Sequence, residues 1–538
     1  MKTEAEPEKG VRKILQGRKN LPDAFYAAVL TALGLIITLA FALYSPEGIH
    51  QFDDLTHYLF AKWAWRWPSY LLDDWGRPGF TVLYFLPARL GWMACRILSV
   101  ILTAATAWMA FRIAQKIGLR HAWAVVPLCY AQPLFFQLAQ TTLTETALAF
   151  YLTAAVFLAL RGRWSWSAVF VSLGMVTRHE AVIFLPIWLY FAVREQAALG
   201  RLWPLIWAPL MINVLAIPAG IELPVIRLLR VTSTGQYGSG GWLTFFSRSL
   251  EAWGPGIMVL AMTGLRAVWQ RSGGKLIAAC AVAYFAAHAV IRALGWFDSG
   301  GYARFLVPIS PLIAIAALSG WLRFWSPDPR ERRAVIMLAA GAMLLLWIAM
   351  ERQLVLYAER LDFVAELPEI RIAKFAIRMA TLLLVILAII TAGFGSGIRH
   401  PRLSAALVPA LLTVIILLTC GKLCRPLARS PAAYIFDDLR QWLAQNGLAD
   451  RKIMSANIWV AYATGEELPH GRPGLRPALE EAPVGTLFAW DHQFAASVQY
   501  GISLKEMLAD PGFRLIHKTR PAPYRLRPYF LVFEKISH

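Results

Sequence analysis

The stretch Asp23–Tyr44, DAFYAAVLTALGLIITLAFALY, has one charged side chain, at its first position, and is otherwise apolar or weakly polar. A bilayer core of roughly 30 Å requires about 20 apolar residues in a helix, so this stretch predicts a transmembrane helix. It lacks a small-residue cleavage site, which favours a retained anchor over a signal peptide. Basic residues precede it and predict that residues 1–22 are cytoplasmic: Lys2, Lys9, Arg12, Lys13, Arg18 and Lys19.

The composition of the whole chain agrees with a membrane protein. Of its 538 residues, 58% are hydrophobic and 16% are charged, whereas a soluble domain has about 25% charged residues. A soluble fold, a disordered chain and a small disulfide scaffold are therefore excluded. The formal net charge of +20 comes from basic residues scattered between apolar runs. We interpret this charge mainly as membrane topology, with attraction to anionic lipid or phosphate as a second interpretation, and predict no nucleic-acid partner.

Further apolar runs predict a polytopic α-helical membrane protein with about 11–13 transmembrane helices in residues 23–422. The runs 166–178 and 180–193 are short and allow one tilted helix, a broken hairpin or two half-buried spans. The remaining candidate spans are 23–44, 89–113, 121–139, 145–160, 203–221, 256–270, 276–293, 304–322, 334–350, 375–394 and 403–421.

Alternation from a cytoplasmic N-terminus places the loops rich in Lys and Arg inside. It places the following segments outside: the long first loop 45–88, then 140–146, 222–255, 294–303, 351–374 and everything after residue 422. We expect these external segments to meet at one end of the bundle.

Residues 423–538 are predicted to form a small soluble α/β domain outside the membrane. Tyr434–Gln445 has the pattern of an amphipathic helix. Four short segments have strand character: Lys452–Val460, Gly485–Trp490, Phe513–His517 and Tyr529–Glu534. The five cysteines give no disulfide framework or zinc ligand set. For the neighbouring Cys420 and Cys424 we favour packing over a labile disulfide.

The first external loop contains two adjacent acids, Asp53 and Asp54. If a helix starts there, Asp53 and His57 share one face at i, i+4. A carboxylate at the boundary between water and lipid can act as a general base towards a hydroxyl group. The alternative is that both acids cap the helix in solvent.

Other ionisable residues lie at span ends or interrupt an apolar stretch. Glu145 precedes a span and is either functional or a helix cap. Arg178, His179 and Glu180 divide an apolar stretch, where charged groups are costly and usually face a cavity or each other. Arg77 and Arg304 lie at predicted external ends, where arginine binds phosphate or extends to lipid headgroups. No cluster of metal ligands is evident, so we predict no metal and no other cofactor.

These residues form a series of motifs that resembles the GT-C glycosyltransferases, in particular the bacterial branch that includes protein mannosyltransferases and the lipid A aminoarabinose transferase. The resemblance extends over about residues 23–310. The motifs are Phe52-Asp53-Asp54, Asp74-Trp-Gly-Arg-Pro-Gly79, Ala94-Cys-Arg-Ile-Leu-Ser99, Thr177-Arg-His-Glu180, Phe184-Leu-Pro186 and Arg304-Phe-Leu-Val-Pro308. Two positions depart from the family pattern: Arg77 replaces a lysine and Gly79 replaces a proline.

The resemblance implies an enzyme that transfers a sugar, with inversion, from a polyprenyl-phosphate carrier to a glycan, lipid or protein acceptor. It implies a site on the periplasmic side of a bacterial inner membrane. Asp53 is the expected base, with Asp54 and Glu145 as further catalytic candidates. The candidates for binding the donor phosphate are Arg77, Arg178 and Arg304. The substrate-binding candidates are His57, His179, Glu180 and Tyr302.

Two other classes of protein remain open from the sequence. A lipid or solute transporter would have paired repeats and ionisable residues at the membrane midplane, and neither is evident. A non-catalytic scaffold for polysaccharide assembly would have no use for charged residues such as Arg178 and Glu180 in an apolar stretch. Both alternatives fit the sequence less well than a transferase.

Overall fold

The computed structural model of the protein describes residues 7–229, 237–352, 368–393, 401–471, 474–497, 500–522 and 527–537. Most of the predicted external segment 351–374 lies outside these residues, as do residues 1–6 of the predicted cytoplasmic N-terminus. The fold combines a bundle of helices with a C-terminal unit that contains a small sheet.

The bundle begins with helices that run from the N-terminus to residue 229. In chain order they are α1 (Pro7–Tyr44), α2 (Phe52–Trp63), α3 (Pro78–Leu90), α4 (Trp92–Lys116), α5 (Val125–Tyr130), α6 (Pro133–Leu138), α7 (Thr144–Ala159), α8 (Trp164–Thr177), α9 (Phe184–Arg194), α10 (Trp207–Ala216) and α11 (Pro224–Leu229).

The later helices complete the bundle and form the helical part of the C-terminal unit. They are α12 (Thr244–Ala252), α13 (Pro255–Trp269), α14 (Gly274–Leu294), α15 (Ser310–Arg323), α16 (Pro329–Arg352), α17 (Pro368–Gly393), α18 (Pro401–Leu423), α19 (Pro431–Gln445), α20 (Ile458–Thr464), α21 (Leu475–Glu480) and α22 (Leu504–Ala509). Of these, α12–α18 belong to the bundle and α19–α22 to the C-terminal unit. Short 3-10 helices occur at Pro68–Leu72, Ala122–Ala124, His179–Ile183, Leu199–Ile206, Trp296–Asp298 and Ala303–Ile309.

The predicted polytopic helical architecture is confirmed. Among the described residues, 7 helical segments are long and apolar enough to cross a membrane: Pro22–Tyr44, Trp92–Lys116, Gly274–Leu294, Ala303–Arg323, Pro329–Glu351, Lys374–Thr391 and Ala406–Leu423. Shorter apolar helices cover Thr144–Ala159, Trp164–Thr177, Gly200–Ala216 and Pro255–Trp269.

The prediction of one continuous span at 121–139 is wrong. This region forms three short helical pieces, and the break between the last two lies at Gln132, whose backbone is extended. The break has a local cause, because Pro133 has no N–H to donate and disfavours helical geometry in the residue before it. The short runs 166–178 and 180–193 form two helices, α8 and α9, with a 3-10 turn between them.

The close packing of α13 against α15 depends on glycine. A Cβ on Gly264 of α13 would lie 2.0 Å from the Ala316 carbonyl oxygen of α15. A Cβ on Gly320 would lie 2.0 Å from the Leu260 carbonyl oxygen. Small residues allow helix backbones to approach this closely, which is a common basis of helix association in membranes.

The loops predicted to be cytoplasmic meet at one end of the bundle. Arg271, between α13 and α14, donates from Nη1 to the carbonyl oxygens of Ile117 (3.2 Å) and Gly118 (2.8 Å), which follow α4. The predicted external segments 45–88 and 140–146 meet at the other end, where the backbone N–H of Thr142 donates to Asp54 Oδ1. The alternation of loops is thus consistent with the contacts, and the side of the membrane that each end faces stays a prediction.

The C-terminal unit contains a sheet of four strands: β1 (Ile453–Met454), β2 (Leu487–Asp491), β3 (Phe513–Lys518) and β4 (Phe530–Lys535). The strand order is β1-β2-β4-β3, with β1 parallel to β2 and the other pairs antiparallel. Three of the predicted strands agree closely with this sheet. The fourth, Lys452–Val460, is wrong in its second half, where Asn457 caps helix α20 instead.

The C-terminal unit shares an apolar core with the first loop. Buried side chains of α19, α20 and β4 pack in one cluster with buried side chains of α2 and α3, among them Leu55, Tyr58, Phe436, Trp459 and Val532. The division into domains at residue 423 stays a prediction. Cys420 and Cys424 are free thiols beside the carbonyl oxygens of Ala131 and Tyr130. The choice between a packing role and a labile disulfide stays a prediction.

Candidate active site

Five helical elements meet at one end of the bundle and bring charged side chains together. The elements are the start of α2, the start of α7, the end of α8 and the 3-10 turns His179–Ile183 and Ala303–Ile309. We call the resulting group the ion-pair cluster. Its members are Asp53, Glu145, Arg178, Glu180 and Arg304.

Arg304 links the two carboxylates that the sequence places far apart. Its Nη2 donates to Asp53 Oδ2, and its Nη1 lies 3.2 Å from Glu145 Oε1. The Arg304 side chain is 5% exposed and Glu145 is fully buried, whereas 37% of the Asp53 side chain is exposed. Asp53 is therefore the carboxylate of this group that water and solutes can reach.

Arg178 lies deeper in the same cluster and is fully engaged by carboxylates. Its Nη1 lies 2.6 Å from Glu145 Oε1, and its Nε and Nη2 each lie 2.6 Å from Glu180 Oε1. Nη1 also donates to Thr144 Oγ1 at 3.1 Å. Pairing between Arg178 and Glu180, one of the alternatives considered for this break in the apolar stretch, is present in the structure.

The backbone places Arg178 and Glu180 where they can pair. Arg178 is extended (φ −149°, ψ 126°) and ends α8, and the next residues form the 3-10 turn His179–Ile183. Phe305 covers the Arg178 guanidinium, with 4.6 Å between Cζ and the ring centroid. An aromatic face strengthens the binding of a desolvated cation, so Phe305 helps to hold this buried charge.

Asp54 faces a different environment from Asp53, its neighbour in the sequence. Asp54 is fully buried, and its Oδ1 accepts hydrogen bonds from the backbone N–H and the Oγ1 of Thr142. Its Oδ2 has no hydrogen-bond partner among the described residues. Burial raises the pKa of Asp54 to about 6. The carboxyl group joins α2 to the segment before α7 and does not enter the ion-pair cluster.

Arg96, from the motif Ala94–Ser99, supports the same junction. Its Nε donates to the Gln140 carbonyl oxygen at 2.6 Å. Its Nη1 donates to the carbonyl oxygens of Ser45 (2.6 Å) and Pro46 (2.8 Å). One buried guanidinium thus ties together the start of α4, the end of α1 and the segment that Asp54 holds. We call Asp54, Thr142 and Arg96 the anchor.

His57 faces the site, as its i, i+4 relation to Asp53 predicts. Its ring stacks on Trp75 with 5.0 Å between centroids, and its Nδ1 has no hydrogen-bond partner among the described residues. Burial lowers the pKa of His57 to about 4, although Asp53 acts in the opposite direction. The imidazole is therefore neutral at pH 7 and can exchange a hydrogen bond with an uncharged substrate group.

Arg77 joins the site through His179. Its Nη1 lies 3.0 Å from His179 Nδ1, and His179 Nε2 lies 2.7 Å from Asp74 Oδ1. The Arg77 guanidinium lies within electrostatic range of Glu180 and Glu145. Arg77 has φ +63°, a conformation that non-glycine residues seldom adopt. Such strained positions concentrate at functional sites.

The departure of Gly79 from the family pattern has a steric reason. A Cβ at Gly79 would lie 2.3 Å from Thr177 Oγ1 and 2.7 Å from the Leu173 carbonyl oxygen. The start of α3 therefore packs directly against the end of α8, one residue before Arg178. No side chain fits between them without movement of one helix.

Tyr302 lies at the edge of the cluster. The Arg304 guanidinium lies 5.4 Å from the ring centroid of Tyr302, and the Tyr302 hydroxyl donates to the Tyr237 hydroxyl at 3.2 Å. The structure thus brings the predicted residues into one region, except for Asp54, which belongs to the anchor.

Two residues that the sequence analysis did not single out complete the inner wall of the site. His288 on α14 is buried, and its Nε2 lies 3.7 Å from Glu180 Oε1. Tyr284 lies one turn earlier and packs edge-on against His288, with 4.7 Å between ring centroids. A lone histidine in the apolar run 276–293 is the signal that could have identified this part of the site.

No group of three or more His, Cys, Asp or Glu side chains that could hold a metal ion occurs among the described residues. The polar side chains of the site are instead arginines paired with carboxylates. The arrangement suits a substrate that carries both a phosphate and hydroxyl groups, because arginine binds phosphate and the carboxylates bind or deprotonate hydroxyls.

No protein-family model and no curated protein sequence matches this chain. Solved structures do match it. The crystal structure of ArnT from Cupriavidus metallidurans in the apo state superposes with a TM-score of 0.56 at 11% identity, over 94% of this chain and 98% of ArnT. The chain has the GT-C fold. The fold expected from the resemblance is therefore confirmed.

Two further structures match. ArnT from the same organism bound to undecaprenyl phosphate has a TM-score of 0.56 at 12% identity and covers 94% of this chain and 97% of ArnT. The arabinofuranosyltransferase AftD from mycobacteria covers 95% of this chain but 40% of its own length, at 14% identity. Its TM-score of 0.47 is too low to support a structural argument.

Proposed function

We propose that the protein is a membrane glycosyltransferase that moves a sugar from a polyprenyl-phosphate carrier to an acceptor outside the cytoplasm. The GT-C fold and the undecaprenyl phosphate bound by ArnT, which has the same fold, support this proposal. The basic loops cluster at the end of the bundle opposite the site, and such loops favour the cytoplasm. We therefore place the site on the periplasmic side of a bacterial inner membrane.

The observation that carries the proposal is the accessibility of one carboxylate within the cluster. Of the three acidic candidates for the base, Asp53 has 37% of its side chain exposed, while Asp54 and Glu145 are fully buried. A general base must come within hydrogen-bond reach of the proton that it removes. We therefore assign proton removal to Asp53, a bridging role to Glu145 and a positioning role to Asp54.

The donor phosphate is assigned first to Arg77 and Arg304. Arg304 Nε has no hydrogen-bond partner among the described residues, and Arg77 lies at the start of α3 in a half-buried position. Arg178 uses all three of its nitrogens on Glu145 and Glu180. Its contribution to phosphate binding is thus the positive charge that it adds behind Glu145.

The contact between Arg304 and Asp53 implies an order of events. While Arg304 Nη2 donates to Asp53 Oδ2, that oxygen is occupied and cannot come within hydrogen-bond reach of the acceptor proton. A phosphate group that binds to Arg304 competes for the same guanidinium. Binding of the donor would therefore release Asp53 to accept a proton, so that the base becomes active when the donor is in place.

The chemical step is an inverting substitution at the anomeric carbon. The acceptor hydroxyl or amine attacks with its lone pair while the bond between the anomeric carbon and the phosphate oxygen breaks. Its proton moves to Asp53, and the bonding electrons leave with the polyprenyl phosphate. Fixed arginines stabilise the charge that develops on this leaving group.

The remaining polar residues are assigned to substrate binding. His57, His179, Glu180 and Tyr302 surround the cluster and offer donors and acceptors to sugar hydroxyls. We propose an acceptor that is a glycan, a lipid or a protein. No step is assigned to a metal or another cofactor.

The test is the release of polyprenyl phosphate by purified protein given a polyprenyl-phosphate sugar and an acceptor extract, with the Asp53→Asn and Asp54→Asn variants as a matched pair. We expect wild-type protein to release the carrier and Asp53→Asn to lose this activity. Normal turnover by Asp53→Asn would show that the assigned base is wrong. If no carrier-linked sugar is consumed by any variant, a transporter or a non-catalytic scaffold becomes the better interpretation.

A further inference from the structure

A loop of the C-terminal unit, residues 467–470, packs against the first loop beside Arg77. Tyr70 donates from its hydroxyl to the Leu468 carbonyl oxygen at 2.8 Å and packs edge-on against His470. Arg66 Nη1 lies 2.9 Å from Glu467 Oε2. The two loops are almost 400 residues apart in the sequence, so this contact is a property of the folded molecule.

The centre of the contact is Asp73, whose two carboxylate oxygens have different partners. Oδ1 accepts the backbone N–H of Gly76 at 2.7 Å, which closes a tight turn. Oδ2 lies 3.0 Å from His470 Nε2. The side chains of His470 and Asp73 are 17% and 23% exposed, so the pair is largely shielded from water. His470 thus holds the Asp73 carboxylate in the position where it accepts the Gly76 N–H and closes the turn.

The turn ends at Arg77, the residue in the left-handed region of backbone space. A positive φ in arginine costs of order 1 kcal/mol and persists when neighbouring groups hold it. Thr81 Oγ1 donates to the Gly76 carbonyl oxygen at 2.8 Å and Phe80 N donates to the Arg77 carbonyl oxygen at 2.8 Å. Together with Asp73, these contacts hold both sides of the Gly76–Arg77 peptide.

The position of the Arg77 side chain follows from this backbone geometry. An ordinary helical or extended φ at residue 77 would rotate the guanidinium away from His179, which now lies 3.0 Å from it. Among the residues that the structure describes, neither His470 nor Asp73 forms a hydrogen bond or salt bridge with Arg77 or with the ion-pair cluster. Their effect on the site therefore passes through the turn.

We propose that Asp73 and His470 are positioning residues through which the C-terminal unit holds Arg77 in its strained, phosphate-binding conformation. This inference rests on the proposed function where it concerns phosphate. The part that concerns the conformation of the turn is independent of any substrate. The C-terminal unit is then required for donor binding as well as for any contact with the acceptor.

The first measurement follows amide hydrogen exchange in a peptide that covers residues 73–79 of the full-length protein. We expect His470→Ala to raise the exchange rate of this peptide by about tenfold, because the turn opens more often. His470→Gln places an amide nitrogen close to the position of Nε2 and should restore slow exchange. Glu467→Ala removes the exposed ion pair of the same loop and should leave exchange within about twofold of wild type. Unchanged exchange in a folded His470→Ala protein would overturn the proposal.

The second measurement is the affinity for undecaprenyl phosphate in detergent, with the same three variants. We expect His470→Ala to weaken binding of undecaprenyl phosphate by about tenfold, and His470→Gln to recover most of this loss. In turnover assays, His470→Ala should raise KM for the donor more than it lowers kcat. If exchange rises but affinity does not change, the turn does not serve the phosphate and the proposal fails. If wild-type protein does not bind undecaprenyl phosphate, the proposed function fails, while the exchange result still decides whether His470 holds the turn.

Discussion

The two acids at the start of α2 differ by one position in the sequence and belong to two regions of opposite character. Asp53 enters the ion-pair cluster and keeps 37% of its side chain exposed. Asp54 enters the anchor and is fully buried against Thr142. Successive helical residues point about 100° apart. One of two adjacent acids can therefore face the substrate side, while the other is buried and holds the helix to the rest of the fold.

Buried polar groups have two uses in this molecule, one in the ion-pair cluster and one in the anchor. In the cluster, carboxylates face guanidinium groups that can exchange partners with a phosphate. In the anchor, Asp54 and Arg96 face backbone groups and a hydroxyl that are fixed in place. We therefore expect substitutions in the cluster to change catalysis and substitutions in the anchor to change stability.

The largest expected effect is on turnover by Asp53→Asn. The amide keeps the size of the side chain and cannot accept the acceptor proton, so we expect turnover to fall by about 10³-fold. Release of polyprenyl phosphate measures this loss. The thermal midpoint should change little because the contact with Arg304 is partly exposed, and a large fall in the midpoint would show that Asp53 also has an anchoring role.

The next effect is on stability, in the Asp54→Leu variant. Leucine leaves the buried Thr142 N–H without its acceptor, and an unpaired buried donor costs about 1–3 kcal/mol. We expect the free energy of unfolding to fall by about 2–3 kcal/mol, visible as a lower thermal midpoint in detergent. Asp54→Asn retains an acceptor oxygen and should lose less. Equal losses in both variants would exclude the hydrogen bonds to Thr142 as the cause.

The third prediction concerns the contact between the start of α3 and the end of α8, next to the ion-pair cluster. Gly79→Ala would place a methyl group 2.3 Å from Thr177 Oγ1, and such overpacking costs about 1–3 kcal/mol. We expect reduced stability together with a raised KM for the donor, because Arg178 follows Thr177. Gly341→Ala on α16, where a Cβ meets no atom within 4 Å, is the control and should behave as wild type. A Gly79→Ala protein with normal stability and KM would contradict the close packing.

The smallest effect is a pH dependence that the anchor contributes. The pKa of Asp54 rises from 3.8 to about 6 on folding because the group is buried. The folded protein therefore binds a proton more tightly than the unfolded chain. The resulting stabilisation is complete below about pH 4 and is lost as the pH rises through 6.

Between pH 5 and pH 7 this contribution amounts to about 1 kcal/mol. Asp54→Asn cannot titrate, so its thermal midpoint should change less than that of wild type across this interval. The groups that act on Asp54 are Thr142, Arg96 and the backbone of His50, and none of these titrates in this interval. Parallel curves for the two proteins would show that Asp54 does not take up the proton.

The sequence predicted the features that depend on composition and on helix geometry. Apolar runs of sufficient length identified the long helices, and the alternation of loops brought Asp53, Glu145, Arg178 and Arg304 to one end of the bundle. The break in the predicted span 121–139 could also have been predicted from the sequence, because Pro133 disfavours helical geometry at Gln132.

The features that were not predicted depend on contacts between distant segments. Spacing shows that Asp53 and Asp54 point in different directions, but it does not show which direction meets Thr142. The positive φ of Arg77 and the contact of His470 with Asp73 arise from packing of the C-terminal unit on the first loop. Long-range contacts of this kind leave no periodic pattern in the chain.

The most direct test of the account is a structure of the protein with undecaprenyl phosphate bound. The account predicts the phosphate between Arg77 and Arg304, with Arg304 turned away from Asp53 and with Asp54 unmoved against Thr142. A phosphate bound at the opposite end of the bundle, or a bound phosphate beside an intact contact between Asp53 and Arg304, would contradict it.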